Sequence, residues 1–334
     1  MIRLARTCVG VIASTRSPLV TSHFPPLKLA AATRAHRHTD RPFRGIAMIM
    51  SSTIFLASSD AMAKYLSRDL PGLEIAWLRF AVFVLIMAPV VLMSSPNPMR
   101  STRPGVQVLR GIAMLSSSIF FIFALRYLPI AEATSTAFVA PVFVTGLSIV
   151  FLGERVGLRR WAATIIGLIG VLVIVRPGTA TFQAAAMLPI LSALGWACTL
   201  VLTRRITGHD SAITTMAFSA LVGFLVLSAV VPLVWVVPGW REIGIGVAIG
   251  ISSTTGHWIV VRAFRYADAS VLAPFSYSQL LWVCILGYFM FGEVPDVWTL
   301  GGAAIIIASG VYTAHRERVR RAQITMPAEP YPGA

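Results

Sequence analysis

Asp60 and Lys64 stand four residues apart in one apolar run, acid first, and so share a helix face. Such a pair could bind a zwitterion or carry a proton. It could equally neutralise itself as a structural ion pair, with the lysine reaching toward the interface. Arg79 follows in the next run, placed to pair with Asp60 or Glu74 or to hold a substrate carboxylate. His257 is central in a later run and titrates near neutrality when unperturbed, although a lone histidine also serves as a hydrogen-bonded packing residue. Ser276 and Gln279 are three apart, flanked by Tyr277 and Trp282, and Pro274 frees backbone groups near them. Trp196 has a similar standing. Rings with a few hydrogen-bonding groups suit a flat or zwitterionic solute, with core packing as the competing role. The candidate binding residues are therefore Asp60, Arg79, Trp196, His257, Tyr277, Gln279 and Trp282. Lys64, Glu154 and Glu293 are candidates for an ion pair or gate; Arg110 reads as an interface anchor, and Glu132 as an acid complementing a helix dipole.

The elements that must position these residues are set by composition. Of 334 residues, 56% are hydrophobic and 12% charged, against roughly 25% charged in a soluble domain. A spanning helix needs about 20 mostly apolar residues. Ten such stretches fit near 45–66, 74–93, 107–126, 131–152, 161–176, 184–203, 212–235, 243–264, 270–291 and 298–314. The expectation is an all-α membrane protein of ten spans with no room for a soluble catalytic domain. The net charge of +15 does not indicate nucleic acid, because eight of the 28 basic residues precede residue 45 and Arg316, Arg318, Arg320 and Arg321 follow the last span. Cys8, Cys198 and Cys284 show neither metal spacing nor a disulfide framework. No phosphate-binding Gly-Lys-Ser/Thr loop occurs. Neither enzyme activity nor a cofactor is expected; the partners are the bilayer and a small-molecule solute. A membrane-embedded lipid enzyme would need a catalytic cluster, and a non-transporting scaffold would need soluble extensions.

Residues 1–44 are Arg-rich and free of acid before Asp40. They read as a disordered basic extension, with an organelle transit peptide as the alternative. Residues 315–334 form a basic tail. With both tails cytoplasmic, the inner breaks hold Arg100, Arg103, Arg155, Arg159, Arg160, Arg204, Arg205, Arg262 and Arg265, and the outer ones only Lys64, Arg68, Arg126, Arg176 and Arg241. The chain also repeats itself. A shift of 139 residues lays Ala124-Leu-Arg-Tyr127 on Ala263-Phe-Arg-Tyr266 and Gly153-Glu154 on Gly292-Glu293. The units span 45–176 and 184–314 with five helices each. Five is odd, so they insert with opposite orientation, as in carriers whose halves rock about a midplane site.

The run Arg126-Tyr127-Leu-Pro-Ile-Ala-Glu132, then Pro141-Val-Phe and Leu152-Gly153-Glu154-Arg155, resembles the first half of EamA-type carriers of the drug/metabolite transporter superfamily. Ala273-Pro274-Phe, Tyr277, Phe291-Gly292-Glu293 and Pro295-Asp296 resemble the second half. Ser59-Asp60-Ala61, Lys64, Glu74-Ile-Ala-Trp77-Leu-Arg79-Phe80 and Leu109-Arg110-Gly111 look like bacterial S-adenosylmethionine uptake carriers and their riboflavin-carrying relatives. The likeness implies a multi-pass bacterial inner-membrane carrier working by alternating access. It also implies a cavity lined by helices one, three, four, six, eight and nine, and a solute that resembles S-adenosylmethionine or is otherwise zwitterionic or aromatic. Export of amino acids or related metabolites is the alternative. The long N-terminal extension and Gln279 depart from the pattern and leave the substrate open.

Overall fold

The computed structural model describes residues 42–94, 99–153, 158–177, 183–206, 209–263, 266–267 and 269–325. The basic extension before residue 42 and Glu154 lie outside the described residues. Every regular element in them is helical: α1 (Pro42–Leu66), α2 (Gly72–Leu92), α3 (Pro104–Tyr127), α4 (Ile130–Ala137), α5 (Ala140–Leu152), α6 (Leu158–Val175), α7 (Met187–Ile206), α8 (Ala212–Val230), α9 (Trp240–Ala263), α10 (Ala269–Ser276), α11 (Ser278–Phe291) and α12 (Val297–Thr325), with two single turns of 3₁₀-helix.

Caps explain where the helices start and stop. Pro71 and Pro129 precede α2 and α4, and Pro104 opens α3, places where a missing N–H costs nothing. Gly153 and Gly292 end α5 and α11 in the left-handed region, at φ 66° and 69°, where a β-carbon would be strained. Ser211 caps α8 by accepting from Thr214 N at 3.0 Å, and Asp296 caps α12 by accepting from Thr299 N at 2.7 Å.

The 139-residue shift carries through the structure. It takes Ile130 at the start of α4 to Ala269 at the start of α10, Gly153 to Gly292, and Leu158 at the start of α6 to Val297 at the start of α12. Contacts between the repeats are symmetric as well. Ser59 Oγ donates to Ile249 O at 3.2 Å and Ser252 Oγ to Phe55 O at 2.8 Å, stitching α1 to α9. Their equivalents α7 and α3 are joined by Ser192 Oγ donating to Ser117 O at 2.9 Å. Equivalent helices also meet each other. Trp77 reaches Ser228 while Phe80 packs on Gly223, so α2 and α8 run antiparallel. Gly170 faces Gly302 and Gly167 faces Ser309, so α6 and α12 do too. A β-carbon on Gly302 would sit 2.5 Å from Gly170 O, which is the close approach small residues allow in a bilayer. Nothing lies within 4 Å of the β-position of Gly301.

Among the described residues, eight helical segments are long and apolar enough to cross a membrane. The apolar parts of the other two, Thr164–Val175 in α6 and Val297–Tyr312 in α12, are shorter. Moreover, the fourth and ninth stretches are each broken in two, between α4 and α5 and between α10 and α11. Pro141 supplies no N–H for the carbonyl four residues back, and Pro274 does the same inside α10.

One polar bracket ties the repeats together at the end where α2 stops and α3 starts. The Asp210 carboxylate accepts from Ser101 Oγ at 2.5 Å, Thr102 N at 3.0 Å, Thr102 Oγ1 at 3.1 Å and Gln107 Nε2 at 2.8 Å. Burial pushes the carboxyl upward, but these four bonds outweigh it and hold it at about 2. A depressed folded pKa gives stability that is complete above the unfolded value near 3.9 and is lost as pH falls toward 2. Asp210→Asn is expected to lower the unfolding midpoint at pH 6 and to leave it almost unchanged near pH 2, as read by thermal denaturation in detergent.

Candidate functional site

Asp60 lies two turns before the end of α1, is 6% exposed, and is framed by the fully buried Ala57 and Ala61. Its Oδ2 accepts from Gln279 Nε2 in the first turn of α11, at 3.2 Å. Asp60 and Lys64 do not pair with each other; the lysine turns to a different acid. Arg79 interacts electrostatically with Asp60 and with His257. It makes no direct ion pair or hydrogen bond with any described residue, Glu74 included, so a half-buried guanidinium stands in the span without an acceptor. Glu74 instead accepts from Val236 N at 3.2 Å.

His257, half-buried in α9, donates from Nδ1 to Ser253 O at 2.8 Å, which leaves Nε2 as a bare acceptor in the neutral ring. Trp196 of α7 meets this imidazole edge-on, with ring centroids 6.2 Å apart. Arg110 acts on His257 through space. Its Nε donates to Thr203 Oγ1 at 2.7 Å and its Nη1 to Ser219 Oγ, joining α3 to α7 and α8.

The aromatic residues mark the helix breaks. Tyr277 caps α11, and its ring meets Phe138, the residue after α4, at 5.1 Å between centroids and 77° between planes. Phe138 and Tyr277 are equivalents under the 139-residue shift, so this pair joins the two repeats at their matching discontinuities. On its other side the Tyr277 hydroxyl presses on Gly310 of α12, where a β-carbon would overlap it. Gly310→Ala is therefore expected to destabilise the protein by about 1–3 kcal/mol through overpacking. In the Tyr277→Ala background the same change should cost almost nothing, a non-additivity that a thermal double-mutant cycle reads directly. Trp282 packs on the main core, and its Nε1 is buried with no acceptor.

Sequence reading missed Phe138 and a set of polar atoms. The hydroxyls of Ser118, Thr134, Ser135, Thr136 and Thr254 are buried without partners, as is Trp282 Nε1. Buried polar atoms are nearly always bonded, so orphans on α3, α4, α9 and α11 call for water or a bound molecule. The repeat shift could have found two of the missed positions: it carries Phe138 to Tyr277 and Ser118 to His257. No cluster of His, Cys, Asp and Glu suited to a metal ion occurs among the described residues.

Lys64 and Glu293 are brought together at the end where α1 finishes. Lys64 Nζ lies 2.8 Å from Glu293 Oε1 and donates to Leu128 O at 2.5 Å, while Glu293 Oε2 accepts from Ile130 N at 2.9 Å. Lys64 and Arg68 both stand over the Phe291 ring, at 5.5 and 5.4 Å. Glu132 has no direct partner among the described residues but feels Asp296, Arg176 and Lys64 electrostatically. The neighbouring ends of α6 and α12 are held by Arg176 and Asp296, 2.7 Å apart.

The chain is similar to known proteins. The S-adenosylmethionine uptake transporter of Rickettsia felis is 30% identical over 274 residues, covering 82% of this chain and 93% of that protein. The riboflavin transporter of Vibrio cholerae is 27% identical over 283 residues, covering 83% and 94%. The pseudopaline exporter of Pseudomonas aeruginosa is 28% identical over 272 residues, covering 79% and 94%. A crystal structure aligns with a TM-score of 0.57 at 21% identity, covering 83% of this chain and 98% of its own, a likeness of fold alone. These relatives are transporters, which fits a multi-pass membrane protein that handles a small solute. The model of the EamA-like transporter family matches twice, over residues 43–176 and 183–314, and the chain belongs to that family.

Proposed function

We propose that the protein is a secondary-active carrier of a small amphoteric solute with a flat or aromatic part, of the S-adenosylmethionine type, moved by alternating access between two oppositely inserted repeats. The observation that carries this reading is Arg79: a guanidinium in a span, without an acceptor among the described residues, in the field of the Asp60 carboxylate. An ionisable side chain at a span centre costs about 2.5–3.5 kcal/mol on insertion scales. A solute carboxylate on Arg79 and a solute cation or donor on Asp60 and Gln279 would offset that cost in the bound state. Trp196, His257, Tyr277 and Trp282 would frame the flat part, with the orphaned hydroxyls of Ser118 and Thr254 available for its polar edge.

Ten spans, with both tails on the cytoplasmic side of a bacterial inner membrane, complete the reading; the shorter apolar stretches of α6 and α12 cross as the outer, mutually packed pair. Lys64 and Glu293, 2.8 Å apart, would form the gate on the outer side. Broken α4/α5 and α10/α11 place half-helix ends near the site, the device by which many carriers meet polar solutes at the midplane. Proteoliposomes with an imposed proton gradient, screened with labelled S-adenosylmethionine, riboflavin and amino acids, test the whole reading. Asp60→Asn is expected to reduce accumulation of the accepted solute at least tenfold with unchanged membrane abundance, and full activity in that variant removes Asp60 from the mechanism.

A further inference from the structure

His257 and Trp196 come from different helices, α9 and α7, and each follows a glycine at a close helix crossing. A β-carbon on Gly256 would lie 2.9 Å from the Leu56 side chain of α1, and one on Gly195 would lie 2.9 Å from Ser117 N of α3. The 139-residue shift carries Leu56 to Gly195 and Ser117 to Gly256, so the two crossings are equivalent. The residues that follow the glycines meet each other edge-on, ring centroids 6.2 Å apart. Trp196 also packs on the same buried cluster as Phe138 and Tyr277. Arg79 of α2 and Arg110 of α3 act on the imidazole through space. Neighbours from α1, α2, α3 and α7 put the pair inside the bundle rather than against lipid.

Two ring nitrogens of this pair are unused. With Nδ1 donating to Ser253 O, His257 Nε2 is an acceptor, and Trp196 Nε1 can only donate. Neither bonds to any described residue, and neither is among the buried side-chain atoms that lack a partner. Both residues are half-buried, so both nitrogens keep an open side. Two guanidiniums and no carboxylate act on the imidazole, so a second proton there would meet only like charge. An acceptor beside a donor, carried on two flat rings, matches a flat solute edge with the reverse pattern: an N–H next to a ring nitrogen. A site built to pair with such groups rejects a solute that lacks one of them, because its own polar atom is then left unpaired.

We propose that His257 and Trp196 read the edge of the solute's flat part, so that the accepted solutes are amino-substituted nitrogen heterocycles. His257 Nε2 accepts from the exocyclic amino group, and Trp196 Nε1 donates to a ring nitrogen beside it. This rests on the reading of Arg79 and Asp60 as the anchor of the solute's charged end, and the test separates the two. Binding to the purified full chain is measured by calorimetry for S-adenosylmethionine and for its analogue with hydrogen in place of the exocyclic amino group. The analogue keeps the charged end and every ring nitrogen and lacks only the N–H donor. It is expected to bind at least tenfold more weakly, because His257 Nε2 is desolvated without gaining a donor. In His257→Leu the two compounds should bind alike, whereas a role in packing alone would weaken both and keep the ratio between them. Two deaza analogues, each with CH for one of the ring nitrogens nearest the amino group, probe the tryptophan. One of them should bind about tenfold more weakly than the parent, and that difference should vanish in Trp196→Phe. Equal binding of the parent and the amino-deleted compound to the unmodified protein, a comparison that needs no variant, overturns the assignment and leaves the anchor standing. A ratio that survives His257→Leu overturns it as well, and two deaza analogues that bind like the parent remove Trp196 from it. No binding of any of these compounds overturns the assignment and the solute class together.

Discussion

Replacing Arg79 with Gln is expected to cut transport efficiency about 100-fold, and replacing it with Lys about tenfold. A charge-assisted hydrogen bond contributes roughly 1.5–3 kcal/mol, and 1.4 kcal/mol is a factor of ten; a carboxylate held by both arms of one guanidinium loses two such bonds in the glutamine variant. Lysine keeps the charge but not the planar fork, so it recovers part of the loss. The loss should fall mainly on the concentration dependence of uptake, because Arg79 makes no direct ion pair or hydrogen bond with any described residue. Initial rates in proteoliposomes against solute concentration, with a thermal midpoint for each variant, separate recognition from folding. Unchanged half-saturation in Arg79→Gln, or a collapse of the folded protein, would remove Arg79 from solute recognition.

Why Arg79 and Asp60 could be singled out from sequence, while their partners could not, follows from what a linear pattern records. A charged residue in an apolar run is conspicuous because the bilayer makes it costly, so Asp60, Arg79 and His257 stood out. The repeat was legible because Gly153-Glu154 and Gly292-Glu293 end equivalent helices, and both glycines do adopt the left-handed caps that only glycine takes readily. Spacing along a helix was a poorer guide. It placed Lys64 with Asp60, four residues away, although the lysine meets Glu293 across the bundle and Asp60 meets Gln279. Those choices depend on how α11 lies against α1, which no local pattern encodes. The helix breaks at Phe138 and Tyr277 were hidden for a related reason: Pro141 and Pro274 were visible, but hydropathy averages across a break and reports one continuous span. Phe138 itself looked like any core phenylalanine until the shift set it opposite Tyr277.

The second large effect concerns Lys64 and Glu293, whose pair fastens four pieces of chain at one end: the last turn of α1, the Leu128 carbonyl, the first N–H of α4 and the end of α11. Both side chains are mostly buried, 11% and 23% exposed. Removing one partner of such a pair strands the other charge and costs about 3–5 kcal/mol when burial is complete. If that cost falls on the closed state alone, even 2.8 kcal/mol shifts the balance between closed and open by about 100-fold. Glu293→Gln is therefore expected to open this end. A cysteine placed at Ala133, fully buried one turn into α4, in a background whose native cysteines are replaced by serine, should react with an impermeant maleimide at least tenfold faster in the glutamine variant. The double reversal Lys64→Glu with Glu293→Lys should not restore slow labelling. A glutamate at 64 cannot donate to Leu128 O, and a lysine at 293 cannot accept from Ile130 N, so the reversed pair recovers the Coulomb attraction but loses both backbone bonds. Recovery of the original rate in the reversed pair would mean that charge alone closes this end, and equal labelling in all three proteins would mean that the pair is not what holds it shut.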